Sequence, residues 1–328
     1  LTMPPIPAPS STSRPMFAFR VNRHRRRLWL LSLVALVLSI LGMALSWTSP
    51  SIRAPLRPGL DFTGGTQIQL ERRCESACTP LTVSTLQRSL AALKLPADGA
   101  NPAPALAGAS VQLLDGGRSL VARTPSLSPD QAQVVLQALQ DQVGDTVPGG
   151  LSIDTIGPTL GSQLLQASLV SLLVSFVGIS LYISFRYDRI YAALALLCLA
   201  HDVLITCGLF AWLGLLAGVE VNSLFAVALL TIAGYSVNDT VVIFDRIREK
   251  RNQLKDLPLA DQADEAVIST LTRSVYTSLT TLLPLIALIF FGGSTLYWFA
   301  IALSFGILVG AWSSIGVAPT LLPVLSRR

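Results

Sequence analysis

The chain has 328 residues, of which 51% are hydrophobic and only 13% charged, and its formal net charge is +5. A soluble domain carries about 25% charged residues, so this charge content and a mean hydropathy of +0.58 exclude one. Disordered, collagen-like and coiled-coil chains fall on the same ground, and the basicity lies in short segments between apolar runs rather than on a nucleic-acid-binding domain.

The remaining class is an integral membrane protein. In chain order, residues 1–27 predict a disordered, basic, cytoplasmic N-terminus, its first 20 residues rich in Pro and Ser. A first transmembrane helix follows over 28–48, with its apolar run from Leu28 to Trp47. Arg25–Arg27 before that run would also suit a cleaved signal peptide, but the run is longer than the usual 7–15 apolar residues of one. Five more runs approach or exceed the roughly 20 residues that a bilayer core requires. They are Leu164–Phe185, Ile190–Leu213, Val219–Phe244, Val275–Phe291 and Leu296–Leu325, a bundle over 163–326 with a cytoplasmic loop at about 245–272. Pro319 and Pro323 predict a frayed end to the last run.

Lys and Arg fix the orientation, because positive segments stay cytoplasmic. With both termini inside, 16 of the 24 basic residues are cytoplasmic, and the other eight lie between the first and second spans. That segment, 49–162, is the outer-side domain. Thr66–Arg72 alternates as a strand, Thr82–Leu95 has helical spacing, and Ser110–Leu114 with Ser119–Arg123 reads as a hairpin about Asp115-Gly116-Gly117. Ser128 as N-cap and Pro129 at the first helical position open a helix to Val143, and Leu151–Ile156 closes as a strand. The order β-α-β-β-α-β predicts a ferredoxin-like α+β domain. Pro96–Gly108, dense in Ala and Pro, reads as a flexible linker within it, and Gly64-Gly65 as a tight turn.

Cys74 and Cys78 lie on the outer side, where a disulfide persists, and are either bridged or paired free thiols. Cys198 and Cys207 fall inside the third span and read as core residues. No metal cluster, phosphate-cradling loop or nucleophile set is present in the sequence, so the expectation is no enzyme and no cofactor.

Ionisable residues inside spans are costly and point to function. The fourth run holds Gly234-Tyr235-Ser236-Val237-Asn238-Asp239-Thr240. Asp239 reads as a proton relay, or as a carboxylate close enough to the interface to stay hydrated. Gly234 would admit a neighbouring helix, and Asn238 and Thr240 would hydrogen-bond either protonation state. His201 and Asp202, near the middle of the third run, are a packing network or a relay element. Arg273 is a snorkelling arginine or the counter-charge to Asp239. Ala302, Gly306, Gly310 and Ser314 recur every four residues as a helix-packing stripe.

Several strings together resemble one family: GLDFTGGTQIQL, HDVLIT, GYSVNDTVVIFDRIREKR, LTRSVYTSLTTLLP and the following FFGG. From about residue 57 onward the chain is similar to the SecF family of bacterial protein-export membrane subunits, relatives of the RND transporters. The resemblance implies a six-helix, RND-like half in the bacterial inner membrane, or an internal membrane such as the thylakoid. It implies a heterodimer with SecD beside the SecYEG channel, with YidC and YajC as further candidate partners and an unfolded exported polypeptide as cargo. It also implies that proton motive force drives late stages of export, with Asp239 as the membrane carboxylate and Arg273 as its basic partner. An RND-like exporter of small solutes or lipids and a proton-independent assembly factor are the competing readings.

Overall fold

The computed structural model describes residues 20–74, 80–97, 103–114 and 117–326. The elements run α1 (Arg25–Thr48), the single turn α2 (Leu60–Thr63), β1 (Gly65–Arg72), α3 (Val83–Ala92), β2 (Ser110–Leu114) and β3 (Ser119–Thr124). They continue with α4 (Pro129–Val143), β4 (Thr146–Ile156), α5 (Pro158–Arg186), α6 (Arg189–Leu216), α7 (Ser223–Gln253) and α8 (Leu259–Phe291). The chain closes with α9 (Gly293–Trp312), a π-helical segment Ser313–Val317 and α10 (Ala318–Leu325).

Six helical stretches among the described residues are long and apolar enough to cross a membrane. They carry large exposed apolar side chains such as Leu33 on α1 and Leu173 on α5, a surface that suits lipid and not water. Helices α7 and α8 run on well past the apolar stretches, so residues 245–272 are helical except around Leu254–Pro258. An apolar-run reading stops where charge begins, whereas backbone hydrogen bonding continues through good helix formers such as Glu249, Lys250 and Arg251. The last run differs from expectation in another way. Its prolines are not at a frayed end: Pro319 is the second residue of α10, Pro323 lies inside it, and both are buried. Pro319 follows closely on the π-helical segment Ser313–Val317, whose wider turn accommodates a residue that has no N–H to donate.

The chain divides into two compact units, one of Leu1–Leu38, Ser180–Ile205 and Ile232–Arg328, the other of Ser39–Ile179 and Thr206–Thr231. The second unit contains the α+β domain. Its sheet order is β2-β3-β1-β4 with every neighbouring pair antiparallel, the split βαβ topology. Ile68, Leu70, Leu120 and Ala122 from the sheet meet Leu86 and Leu90 of α3 and Val135, Leu136 and Leu139 of α4 in its core. Ser128 and Gln131 form a reciprocal capping box that fixes the start of α4. The Ala/Pro segment is tied down at Leu106, which is buried in this core. Strand β4 begins five residues before the alternating stretch, because Pro148 and Gly149 are tolerated on an edge strand. Cys74 is disulfide-bonded; Cys78, its expected partner, lies outside the described residues, as do residues 115 and 116 of the hairpin turn. Cys198 and Cys207 are free thiols.

Gly64 and Gly65 do more than turn the chain. Both have positive φ, +68° and +126°. A Cβ on Gly64 would lie 2.8 Å from Pro158 Cα, and one on Gly65 would lie 2.6 Å from the carbonyl oxygen of Thr124. The pair therefore threads the start of β1 between the first residue of α5 and the last of β3, a passage open only to a backbone without Cβ.

Candidate functional site

The first unit holds a cluster of buried polar side chains on α6, α7, α8 and the π-helical segment. Helical spacing on α7 sorts them into two faces. Ser236 and Thr240, four residues apart, point to α6 and the π-helical segment, while Tyr235 and Asp239, also four apart, point to α8.

On the first face Asp202 of α6 is fully buried. Its Oδ2 accepts hydrogen bonds from Ser236 Oγ at 2.6 Å and Ser313 Oγ at 2.8 Å. Its Oδ1 lies 2.8 Å from His201 Nδ1, while His201 Nε2 is buried and has no hydrogen-bond partner. Thr240 and Ser314 bond through their hydroxyls at 2.8 Å. The π-helical segment brings both Ser313 and Ser314 inward, because its wider turn places consecutive residues against the adjoining helices. Above it α9 packs on α7 through glycines: a Cβ on Gly306 would lie 2.3 Å from Ile232 Cδ1, and one on Gly310 would lie 3.4 Å from Ser236 Cβ. Ala302, Gly306, Gly310 and Ser314 are all buried.

On the second face Asp239 is 6% exposed. Its Oδ1 accepts from Ser274 Oγ of α8 at 2.8 Å, and its Oδ2 is buried without a partner. One turn earlier on α7, Tyr235 donates to Ser278 at 3.1 Å, one turn later on α8. Two antiparallel helices are thus laced by matched four-residue steps.

Several expectations change here. Arg273 is exposed and forms no salt bridge with Asp239, although its charge still acts on that carboxyl from beyond contact distance. Consecutive helical residues are about 100° apart, so presenting Ser274 to α7 turns Arg273 aside. Gly234 and Asn238 are likewise exposed, and nothing lies within 4 Å of a Cβ placed on Gly234, so it admits no helix of this chain. Thr240 bonds Ser314 instead of Asp239. The residues that do hold the two carboxylates, Ser236, Ser274 and Ser313, were missed as ligands because a serine in an apolar run reads as a small spacer. Their signal is the recurrence of hydroxyls at four-residue steps, as in Ser274 and Ser278. Among the described residues no group of three or more His, Cys, Asp and Glu could hold a metal.

The geometry makes Asp202 a fully ligated anchor and Asp239 a carboxyl with one oxygen free. Leucine at Asp202 strands two buried hydroxyls and an imidazole, so Asp202→Leu is expected to lose on the order of 3 kcal/mol of stability. Thermal unfolding in detergent, with Asp202→Asn as the milder control, measures this; equal midpoints for all three proteins would contradict the anchor assignment.

Comparison with known proteins places this architecture. A family model for the protein export membrane protein SecD/SecF, C-terminal, matches residues 137–328, and one for the SecD/SecF GG motif matches residues 53–74. The protein translocase subunit SecF of Prochlorococcus marinus is 54% identical over 93% of this chain and 95% of its own length. That of Synechocystis sp. is 43% identical over 89% and 90%. The crystal structure of SecDF, a translocon-associated membrane protein from Thermus thermophilus, superposes with a TM-score of 0.76 at 32% identity. It covers 94% of this chain, which in turn spans only 39% of that longer one. The glycine pair, the hydroxyl-ligated carboxylates and the six long helices thus lie within segments shared with these proteins, and the chain belongs to the SecD/SecF family of protein-export membrane proteins, among its SecF members.

Proposed function

We propose that the chain is the SecF subunit of a protein translocase and that, paired with SecD, it uses the proton motive force to assist late stages of polypeptide export. The observation that carries this reading is Asp239, buried in α7 with one oxygen held by Ser274 and the other unpartnered. A carboxyl in such a place is costly as an anion and cheap as an acid, so binding and release of a proton changes the packing of α7 on α8. The exposed flank carrying Gly234, Asn238 and Arg273 is the face offered to SecD, and a fused relative, SecDF, supports that pairing. Arg273 then acts as a counter-charge across the SecD contact. His201 and Asp202 fix α6 to α7 and to the π-helical segment, so that a shift at Asp239 is felt by the bundle.

In this reading the protein lies in the bacterial inner membrane, or an internal one, with both termini cytoplasmic and residues 49–162 outside. SecYEG is the channel served, with YidC and YajC as further partners. The test uses inverted vesicles holding this chain with SecD and SecYEG. An imposed proton gradient is expected to raise completion of export of a model precursor over the same vesicles without this chain. An identical response in both would leave the chain as a gradient-independent scaffold.

A further inference from the structure

The segment between α1 and the α+β domain is joined to the beginning of α7 by three kinds of bond, all within one compact unit. The backbone forms a short parallel bridge between Pro58 and Val221, with Gly59 N donating to Val221 O at 2.8 Å and Val221 N to Arg57 O at 2.9 Å. The Asp61 carboxylate caps α7: its Oδ2 accepts from Ser223 N at 2.9 Å and also from the Ser223 hydroxyl. An anion at that end also meets the positive pole of a 31-residue helix. Glu220, just before the helix, is gripped by Arg57, 3.5 Å away, and by Arg123 of β3. Burial first, and the Arg57 charge second, push Arg123 down to about 10, so it remains a cation at neutral pH. Arg123 also donates to Gln67 of β1, its register partner, at 3.0 Å. Four residues after Asp61 the same segment passes through the glycine pair and becomes β1, the strand between β3 and β4.

We propose that residues 57–65 are a strut that makes the first turn of α7 and the α+β domain one mechanical piece, with Asp61 and Glu220 as its positioning residues. Helix α7 runs unbroken from this cap to Asp239, sixteen residues on and about 24 Å along the axis at 1.5 Å per residue. Resting here on the proposed proton-driven function, the strut is the route by which a displacement of α7 reaches the domain that meets the exported chain. The glycine pair is then a feature of force transmission: it removes side chains where strand, strut and the start of α5 must touch without slack.

The strut and the function are tested separately. Hydrogen exchange on the full chain in lipid nanodiscs with SecD compares wild type with Asp61→Ala, Asp61→Asn and Ser223→Ala. In Asp61→Ala the amides of the first turn of α7 and those at the start of β1 should exchange faster together, by about fivefold, the scale of a lost helix cap. Asp61→Asn, which keeps an acceptor, should stay near wild type, and Ser223→Ala, which keeps the backbone donor, should fall between. Acceleration confined to α7, or none, overturns the strut. In the vesicle assay Asp61→Ala and Glu220→Gln should keep gradient-independent export and lose most of the gradient-dependent part, with Asp61→Asn retaining it. A wild-type gradient response that persists in Asp61→Ala overturns the force route while leaving the proposed function standing. Absence of that response in wild type fails the function, and the exchange result alone then decides the strut.

Discussion

Asp239→Asn is expected to abolish the gradient-dependent part of export and to leave the gradient-independent part and the fold intact. Asparagine has nearly the shape of aspartate and can still accept from Ser274, so the lacing between α7 and α8 survives. What it cannot do is alternate between an acid and an anion. One elementary charge moving through 100 mV is worth about 2.3 kcal/mol, a bias of about fiftyfold between two arrangements. Losing it should bring gradient stimulation down to background. Asp239→Glu retains the chemistry but places the carboxyl one methylene further along, so a reduced response is expected. The measurement is export into inverted vesicles with and without an imposed gradient, alongside thermal unfolding to verify the fold. An undiminished response in Asp239→Asn would move the coupling site elsewhere.

Gly65→Ala is expected to cost on the order of 3 kcal/mol, because it combines a left-handed backbone with overlap against a backbone atom. At φ +126° an L side chain is strained wherever it points, and here its Cβ would sit 2.6 Å from the Thr124 carbonyl oxygen, which is held in the β1–β3 pairing. Neither partner can rotate aside as a flexible side chain would. Gly64→Ala should behave similarly through Pro158. Gly178→Ala is the control: it lies inside α5 with nothing within 4 Å of its Cβ, and alanine there should be neutral or slightly stabilising. Thermal unfolding of the three variants in detergent, with protease resistance of the α+β domain, separates them. A Gly65→Ala protein as stable as the Gly178→Ala protein would remove the packing argument for the glycine pair.

Much of the fold is legible from sequence because its signals are local. A bilayer core has a fixed thickness, so the count of apolar residues marks six spans. Alternation in Thr66–Arg72 and the Ser128–Pro129 start of α4 mark elements of the split βαβ domain, since strand and helix periodicities and caps are written within a few residues. The α8 helix is the counter-example. Its charged half, from Leu259 to Arg273, has no lipid-length apolar run and reads as a loop, although the backbone hydrogen bonds continue through it. The π-helical turn at Ser313–Val317 has no simple compositional mark either.

By itself the sequence determined the membrane class, the number of spans, the topology of the α+β domain and the two intramembrane acids. The tertiary structure decided which neighbours those acids have. A single residue step rotates a helix by about 100°, so whether Asp239 meets Arg273 or Ser274 depends on the rotational phase of α8 against α7, which no local pattern carries. The bond from Asp61 to Ser223 joins residues 162 positions apart. Only the packing of whole helices and a sheet around both brings a carboxylate from a short turn to the first N–H groups of a membrane helix.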